Sequence, residues 1–166
     1  MKLTTALLPL FISSLATSSS LSFFGSDQQV LDKTLEVPGA NPLEFCEKND
    51  DYILTINNVD LEPNPPLPGK TLTIKAKGNF TEKVEEGAYL LLVVKYSLIK
   101  LINQRADLCE QMKDAVNEEC PLIGEKTITK DVDLPKEIPP GSYTVNADAY
   151  TKDGVKITCL TASIKF

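Results

Sequence analysis

Residues 71–80 read Thr71-Leu72-Thr73-Ile74-Lys75-Ala76-Lys77-Gly78-Asn79-Phe80, and the fold turns on how this stretch is read. In an extended chain Leu72, Ile74, Ala76, Gly78 and Phe80 fall on one side, and Thr71, Thr73, Lys75, Lys77 and Asn79 on the other. This is the signature of a half-buried β-strand. The same period of two recurs in Tyr143, Val145, Ala147 and Ala149 against Thr144, Asn146 and Asp148, and more loosely in Ile128, Val132 and Leu134. Asp153-Gly154 separates Ser142 to Tyr150 from Val155 to Phe166 and suits the tight turn of a hairpin. Proline, which cannot donate to a sheet ladder, marks two further corners at Pro63 to Gly69 and Pro135 to Gly141. From Leu43 onward the chain therefore predicts an all-β sandwich or barrel. Arg105 to Glu119 is polar, has no β-branched residue except Val116, and is expected to be a loop with room for a helical turn.

The run Ala88 to Ile102 departs from this alternation. Tyr89-Leu90-Leu91-Leu92-Val93-Val94 is apolar at every position and so apolar on both faces of a strand. One reading is a central strand whose outer face is covered. The other is a splayed sandwich in which part of this surface lines a ligand cavity.

A length of 166 residues suits one domain. Seventeen Lys and Arg against 23 acids give a net charge of -6, which offers nothing to a phosphate backbone, so no nucleic-acid partner is expected. The chain has no His, which removes the usual general base and the commonest metal ligand. Lys2, the apolar run Leu3 to Leu15 and the small-x-small site Ser14-Leu15-Ala16 predict a signal peptide over residues 1–16, with cleavage as late as residue 22 as the alternative. The run is far shorter than the roughly 20 residues of a membrane-spanning helix. Residues 17–42 have no sustained periodicity and are expected to be a pro-peptide or spacer before a domain over 43–166. The predicted location is the secretory pathway, ending in a vacuole lumen or outside the cell, and a monomer is expected.

In that oxidising route Cys46, Cys109, Cys120 and Cys159 read as a disulfide framework, and the sequence leaves three pairings open. No CxxC spacing suggests a redox role. Asn79-Phe80-Thr81 is a glycosylation sequon on the polar side of its strand. The acid pairs Asp50-Asp51, Glu85-Glu86 and Glu118-Glu119 fall at turns or strand ends, without an apolar setting to raise a pKa. With no phosphate loop, nucleophile elbow or metal-spaced cluster, no catalytic residue, no metal and no cofactor are expected, and the chain is read as a non-enzyme.

Several fragments, in their order and spacing, carry a resemblance: Phe45-Cys46-Glu47, Pro68-Gly69, Gly87-Ala88-Tyr89, Asp107-Leu108-Cys109-Glu110, Cys120-Pro121-Leu122, Ile138-Pro139-Pro140-Gly141-Ser142-Tyr143 and Cys159-Leu160. From Leu43 to Phe166 the chain resembles the ML lipid-recognition family, and within it the fungal phosphatidylglycerol/phosphatidylinositol transfer proteins, which are similar to the Niemann-Pick type C soluble sterol carriers. The resemblance implies an immunoglobulin-like β-sandwich of two antiparallel sheets with an apolar lipid cavity between them. It implies the pairs Cys46–Cys159 and Cys109–Cys120, and a pro-peptide before Leu43. The early third disulfide of the sterol carriers is missing here, which favours the transfer-protein branch. The implied ligand is a phospholipid, with a sterol as the alternative, and the implied partner is a membrane surface, touched transiently. A secreted recognition module without lipid is the reading of another class. The family's pocket mouth corresponds to Ile99, Leu101, Ile138, Pro139 and Tyr143. Leu92, Val94 and Tyr96 are added as lipid-binding candidates from the apolar run alone.

Overall fold

The computed structural model describes residues 35–48 and 51–166 of the chain. Nine elements follow in order among these residues: β1 (Leu43–Phe45), β2 (Leu54–Glu62), β3 (Thr71–Val84), β4 (Tyr89–Tyr96), β5 (Ile99–Asp107), α1 (Leu108–Val116), β6 (Leu122–Asp133), β7 (Ser142–Tyr150) and β8 (Lys156–Lys165). The strands form two antiparallel sheets, one of five strands in the order β1-β8-β7-β4-β5 and one of three in the order β2-β3-β6. The expected immunoglobulin-like sandwich is therefore the fold, with one helix added.

The alternation that predicts β3 holds residue by residue. Ile74, Ala76, Gly78 and Phe80 face the interior, and the register against β2 and β6 assigns their partners to the same face. A bulge between Ile56 and Asn58 resets β2 so that Val59, buried, faces inward opposite Ala76. Asp153-Gly154 makes the β7–β8 turn, with Gly154 at φ +82°. Both disulfides form as the resemblance implies: Cys46–Cys159 ties the start of the domain to β8, and Cys109–Cys120 brackets α1, with Cα separations of 5.5 and 5.6 Å.

Three expectations are corrected. The polar stretch from Arg105 to Glu119 is not a loop: it completes β5 and then forms α1. The Asp107 carboxylate caps the helix by accepting from the Glu110 N–H at 3.0 Å, and Asn117, left-handed at φ 55°, ends it with an N–H to the Lys113 carbonyl. Leu108, Met112 and Val116 form its apolar stripe against the core. The run Ala88 to Ile102 is not one strand but a hairpin, β4 and β5, turning at Ser97-Leu98 with Ser97 at φ 51°. Of the apolar β4 faces, the outer one is covered at its start, where Tyr89 stacks on Tyr150 at 5.5 Å and the Arg105 guanidinium lies 3.7 Å above the Tyr89 ring.

The folded unit also begins before Leu43. Residues 35–42, assigned to the end of the spacer, bond to both sheets: the Phe45 N–H reaches the Leu35 carbonyl, and the Val59 and Leu61 N–H groups reach the carbonyls of Pro38 and Ala40. Gly39 passes so close to β2 that a Cβ there would lie 2.1 Å from the Val59 carbonyl oxygen. The expected signal peptide and the expected spacer up to residue 34 lie outside the described residues.

Ile53, Phe80, Val84, Leu122, Met112 and Ile157 join the two sheets at one end of the sandwich, with Val84, Leu122 and Ile157 fully buried. The Cys46–Cys159 bond closes 113 residues and the other only 11. Replacing Cys46 and Cys159 by serine is expected to cost about 4 to 5 kcal/mol, and replacing Cys109 and Cys120 somewhat under 3. Urea unfolding of the two double variants checks this, and a larger loss from the short loop contradicts it.

Candidate functional site

Beyond that joined end the sheets separate around a cavity of about 240 Å³. Its walls come from both sheets. Leu54, Ile56 and Val59 of β2, Ile74, Ala76 and Phe80 of β3 and Ile128 of β6 face Leu43 of β1 and Leu160 of β8, while Met112 of α1 reaches in from the side. Three lining residues are polar: Lys77, Lys126 and Thr158. Lys77 lies on the outer face by register and its ammonium pairs with Glu125 at 3.1 Å. Lys126 lies on the inner face, opposite Gly78, and pairs with the Glu118 carboxylate that follows α1. Thr158 is 6% exposed, and its Oγ1 is the one buried side-chain polar atom without a hydrogen-bond partner among the described residues.

The strap of residues 35–42 links β1 to β2 along one edge of the sandwich. The opposite edge carries β5 and β6, which do not pair with each other. Around it the surface is unusually apolar: Leu98 is 97% exposed, Ile99 63% and Leu101 54%, and Ile102 and Val132 are also exposed. Lys95 and Lys100 stand opposite each other beside the β4–β5 turn.

None of the eight residues expected to bind lipid lines this cavity. Leu92, Val94, Tyr96 and Tyr143 share the inner face of the five-stranded sheet with Leu90 and Ala149 of the core, further from the joined end. Ile99 and Leu101 are on the exposed hairpin. Ile138 and Pro139 lie in the loop between β6 and β7, half-buried and exposed respectively. That loop is fixed from inside: the buried Tyr143 hydroxyl donates to the Pro139 carbonyl at 2.9 Å, and the Tyr96 hydroxyl donates to that of Pro140 at 3.2 Å. Tyr96, Tyr143 and Phe166 form a ring cluster with centroids 5.0 and 5.4 Å apart. Burial, with a smaller contribution from Tyr96, pushes the Tyr143 phenol above its usual pKa and keeps it a donor. Gly141, at φ +151°, has no room for a side chain, since a Cβ would lie 2.5 Å from the Tyr96 ring.

Of the residues that do form the cavity, the alternation of the sequence marks those of β3 and, more loosely, Ile128 of β6. Those of β2 and β8 and the inward Lys126 of β6 become visible through register. The acid pairs stay at the surface. Lys152 hydrogen-bonds Glu85 and Lys113 hydrogen-bonds Glu119, holding both carboxyls below the ordinary range, the opposite of what a general acid needs. Asp50 lies outside the described residues. Asn79 is on the outer face of β3, opposite Thr55 and Glu125.

The profile of the ML domain family matches residues 40–166. A phosphatidylglycerol/phosphatidylinositol transfer protein of Aspergillus fumigatus is 60% identical over 149 residues, covering 89% of this chain and 85% of the relative. One from Neurospora crassa is 49% identical over 170 residues, covering 100% and 94%. Among solved structures, a Niemann-Pick type C2 protein from Japanese carpenter ant aligns with a TM-score of 0.56 at 13% identity, over 74% of this chain and 97% of that one. Chicken MD-1 complexed with lipid IVa aligns at 0.50 and 14% identity, over 75% and 88%.

A buried hydroxyl without a partner costs roughly 1 to 3 kcal/mol. Thr158→Val, which keeps the shape and removes the hydroxyl, is expected to stabilise the empty protein by about 1 kcal/mol in urea unfolding. A loss of stability contradicts the assignment of that hydroxyl as unsatisfied.

Proposed function

The chain belongs to the ML domain family, and from that premise we propose that it is a lipid carrier that binds phosphatidylglycerol and phosphatidylinositol and moves them between membranes. The observation that carries the reading is the apolar cavity between two sheets that are joined at one end and unpaired at the β5/β6 edge. The names of relatives at 49% to 60% identity supply the cargo.

The physical task is to shield acyl chains. Each methylene lifted from a bilayer into water costs about 0.8 kcal/mol, so a 16-carbon chain faces on the order of 12 kcal/mol. An apolar cavity offsets most of that. The cavity of about 240 Å³ is smaller than the roughly 300–1,000 Å³ typical of sites for drug-sized ligands, so lipid entry requires the sheets to part. The unpaired edge lets them do so without breaking ladder hydrogen bonds. The remaining chain length then lies along Leu92 and Val94 toward the hairpin, which gives those sequence candidates a role beside the cavity.

The exposed turn supplies the membrane contact. Leu98, Ile99 and Leu101 present apolar surface, and Lys95 and Lys100 add local positive charge to a molecule that is acidic overall. No bond is made or broken in this function, and the reading is of a carrier, not an enzyme. Two disulfides favour an oxidising lumen or the cell exterior as its place of work.

Transfer of labelled phosphatidylglycerol or phosphatidylinositol from donor to acceptor vesicles tests the proposal, and no acceleration by the protein rejects it. Leu98→Asp removes the apolar tip at a site that contributes nothing to the core. It is expected to slow transfer roughly tenfold, from the loss of about 1.5 kcal/mol or more of apolar membrane contact, while uptake from detergent solution stays the same. Unchanged vesicle transfer in this variant removes the hairpin as the contact.

A further inference from the structure

The inner face of β6 carries Lys126, Ile128 and Lys130, opposite Gly78, Ala76 and Ile74 of β3. All three β3 partners line the cavity, as do Lys126 and Ile128. A cation set on an apolar face is costly unless it is paired. The fold pairs one of them: Glu118 holds the Lys126 ammonium, whose side chain is 19% exposed. Lys130 is half-buried, and no ion pair or hydrogen bond engages its ammonium among the described residues. The nearest acids along the strand do not serve it. Asp131 and Asp133 are on the outer face and accept from the Thr73 and Thr71 hydroxyls, each at 2.7 Å. Lys130 is also on the unpaired edge, beside Val132, where a lipid enters in the reading above.

We propose that Lys130 is the counter-charge for the phosphodiester of an anionic phospholipid, held at the β5/β6 edge while the acyl chain occupies the cavity. This rests on the carrier reading and deepens it, since it states which part of the cargo the protein recognises. An ammonium beside an apolar wall is a strong donor to a phosphate oxygen, because little water competes there. The competing account is that an inward lysine on an edge strand only keeps other strands from adding to the sheet. That role requires no ligand and shows itself as self-association when the lysine is lost.

Native mass spectrometry separates the two. The full chain is incubated with phosphatidylcholine vesicles doped equally with phosphatidylglycerol and diacylglycerol of the same acyl chains, and the ratio of the two bound lipids is read. The wild type is expected to prefer phosphatidylglycerol. Lys130→Met, which keeps the aliphatic stem, is expected to lower the ratio roughly tenfold while diacylglycerol still loads. Lys83→Met, at an exposed lysine on β3, is the control and leaves the ratio unchanged. If Lys130→Met keeps the wild-type ratio, with or without self-association, the site is overturned and the carrier reading stands. Loss of bound phosphatidylglycerol to excess inorganic phosphate identifies a free-anion site and overturns the lipid assignment. A wild type that loads no lipid overturns the carrier reading and the site with it.

Discussion

The cluster of Ile53, Phe80, Val84, Leu122, Met112 and Ile157 fastens the two sheets together at one end, and the shape of the cavity depends on the fact that they are fastened there. Burial is complete at Val84, Leu122 and Ile157 and falls off along the strands, so that Ile74, Ile128 and Leu160 are only half-buried at the cavity wall. A sandwich packed evenly along its length would have no such space. The strap of residues 35–42 holds one long edge, and α1, stapled by Cys109–Cys120, holds the near end of the other. What is left free is the far part of the β5/β6 edge, where exposed apolar residues collect. In the carrier reading, the apolar exposure there is the cost of an opening through which an acyl chain can pass.

Charge is placed with the same economy. The ion pairs at the surface, such as Lys77–Glu125 on an outer face and Lys152–Glu85 between two turns, are exposed and of small energetic weight. Inside the sandwich Lys126 has its own carboxylate, and Lys130 has none among the described residues. A wall that is apolar up to an unpaired cation at its open edge matches the two ends of an anionic phospholipid. It would suit a fully neutral lipid less well.

Much of this was legible in the sequence, and the parts that were not share a cause. Strict alternation in β3 gave its inward face directly, because each residue there needs only its own neighbours to be read. Asp153-Gly154 gave a hairpin for the same reason. The helix was missed although Asp107 as cap and Leu108, Met112 and Val116 at helical spacing were present, since the polar residues between them masked the stripe. The β4–β5 turn was missed because Ser97-Leu98 contains neither Gly nor Pro. Three of the lipid-binding candidates were chosen for apolarity on β4 and five from the family resemblance, whereas the cavity is built from β2, β3, β6 and β8, whose contributions depend on cross-strand register and on the bulge at Ile56/Asn58. The inward lysines of β6 were invisible for the same reason, as a lysine in an alternating strand is read as outward until its partner is known.

In the carrier reading the space between β3 and β8 holds an acyl chain. The most direct measurement is a crystal structure of the protein loaded with phosphatidylglycerol brominated on one acyl chain, located by the anomalous signal of the bromine. That signal is expected among Ile74, Ile128 and Leu160, with the two sheets further apart than in the empty protein. Bromine found only on the outer surface, over an unchanged and empty cavity, would contradict it.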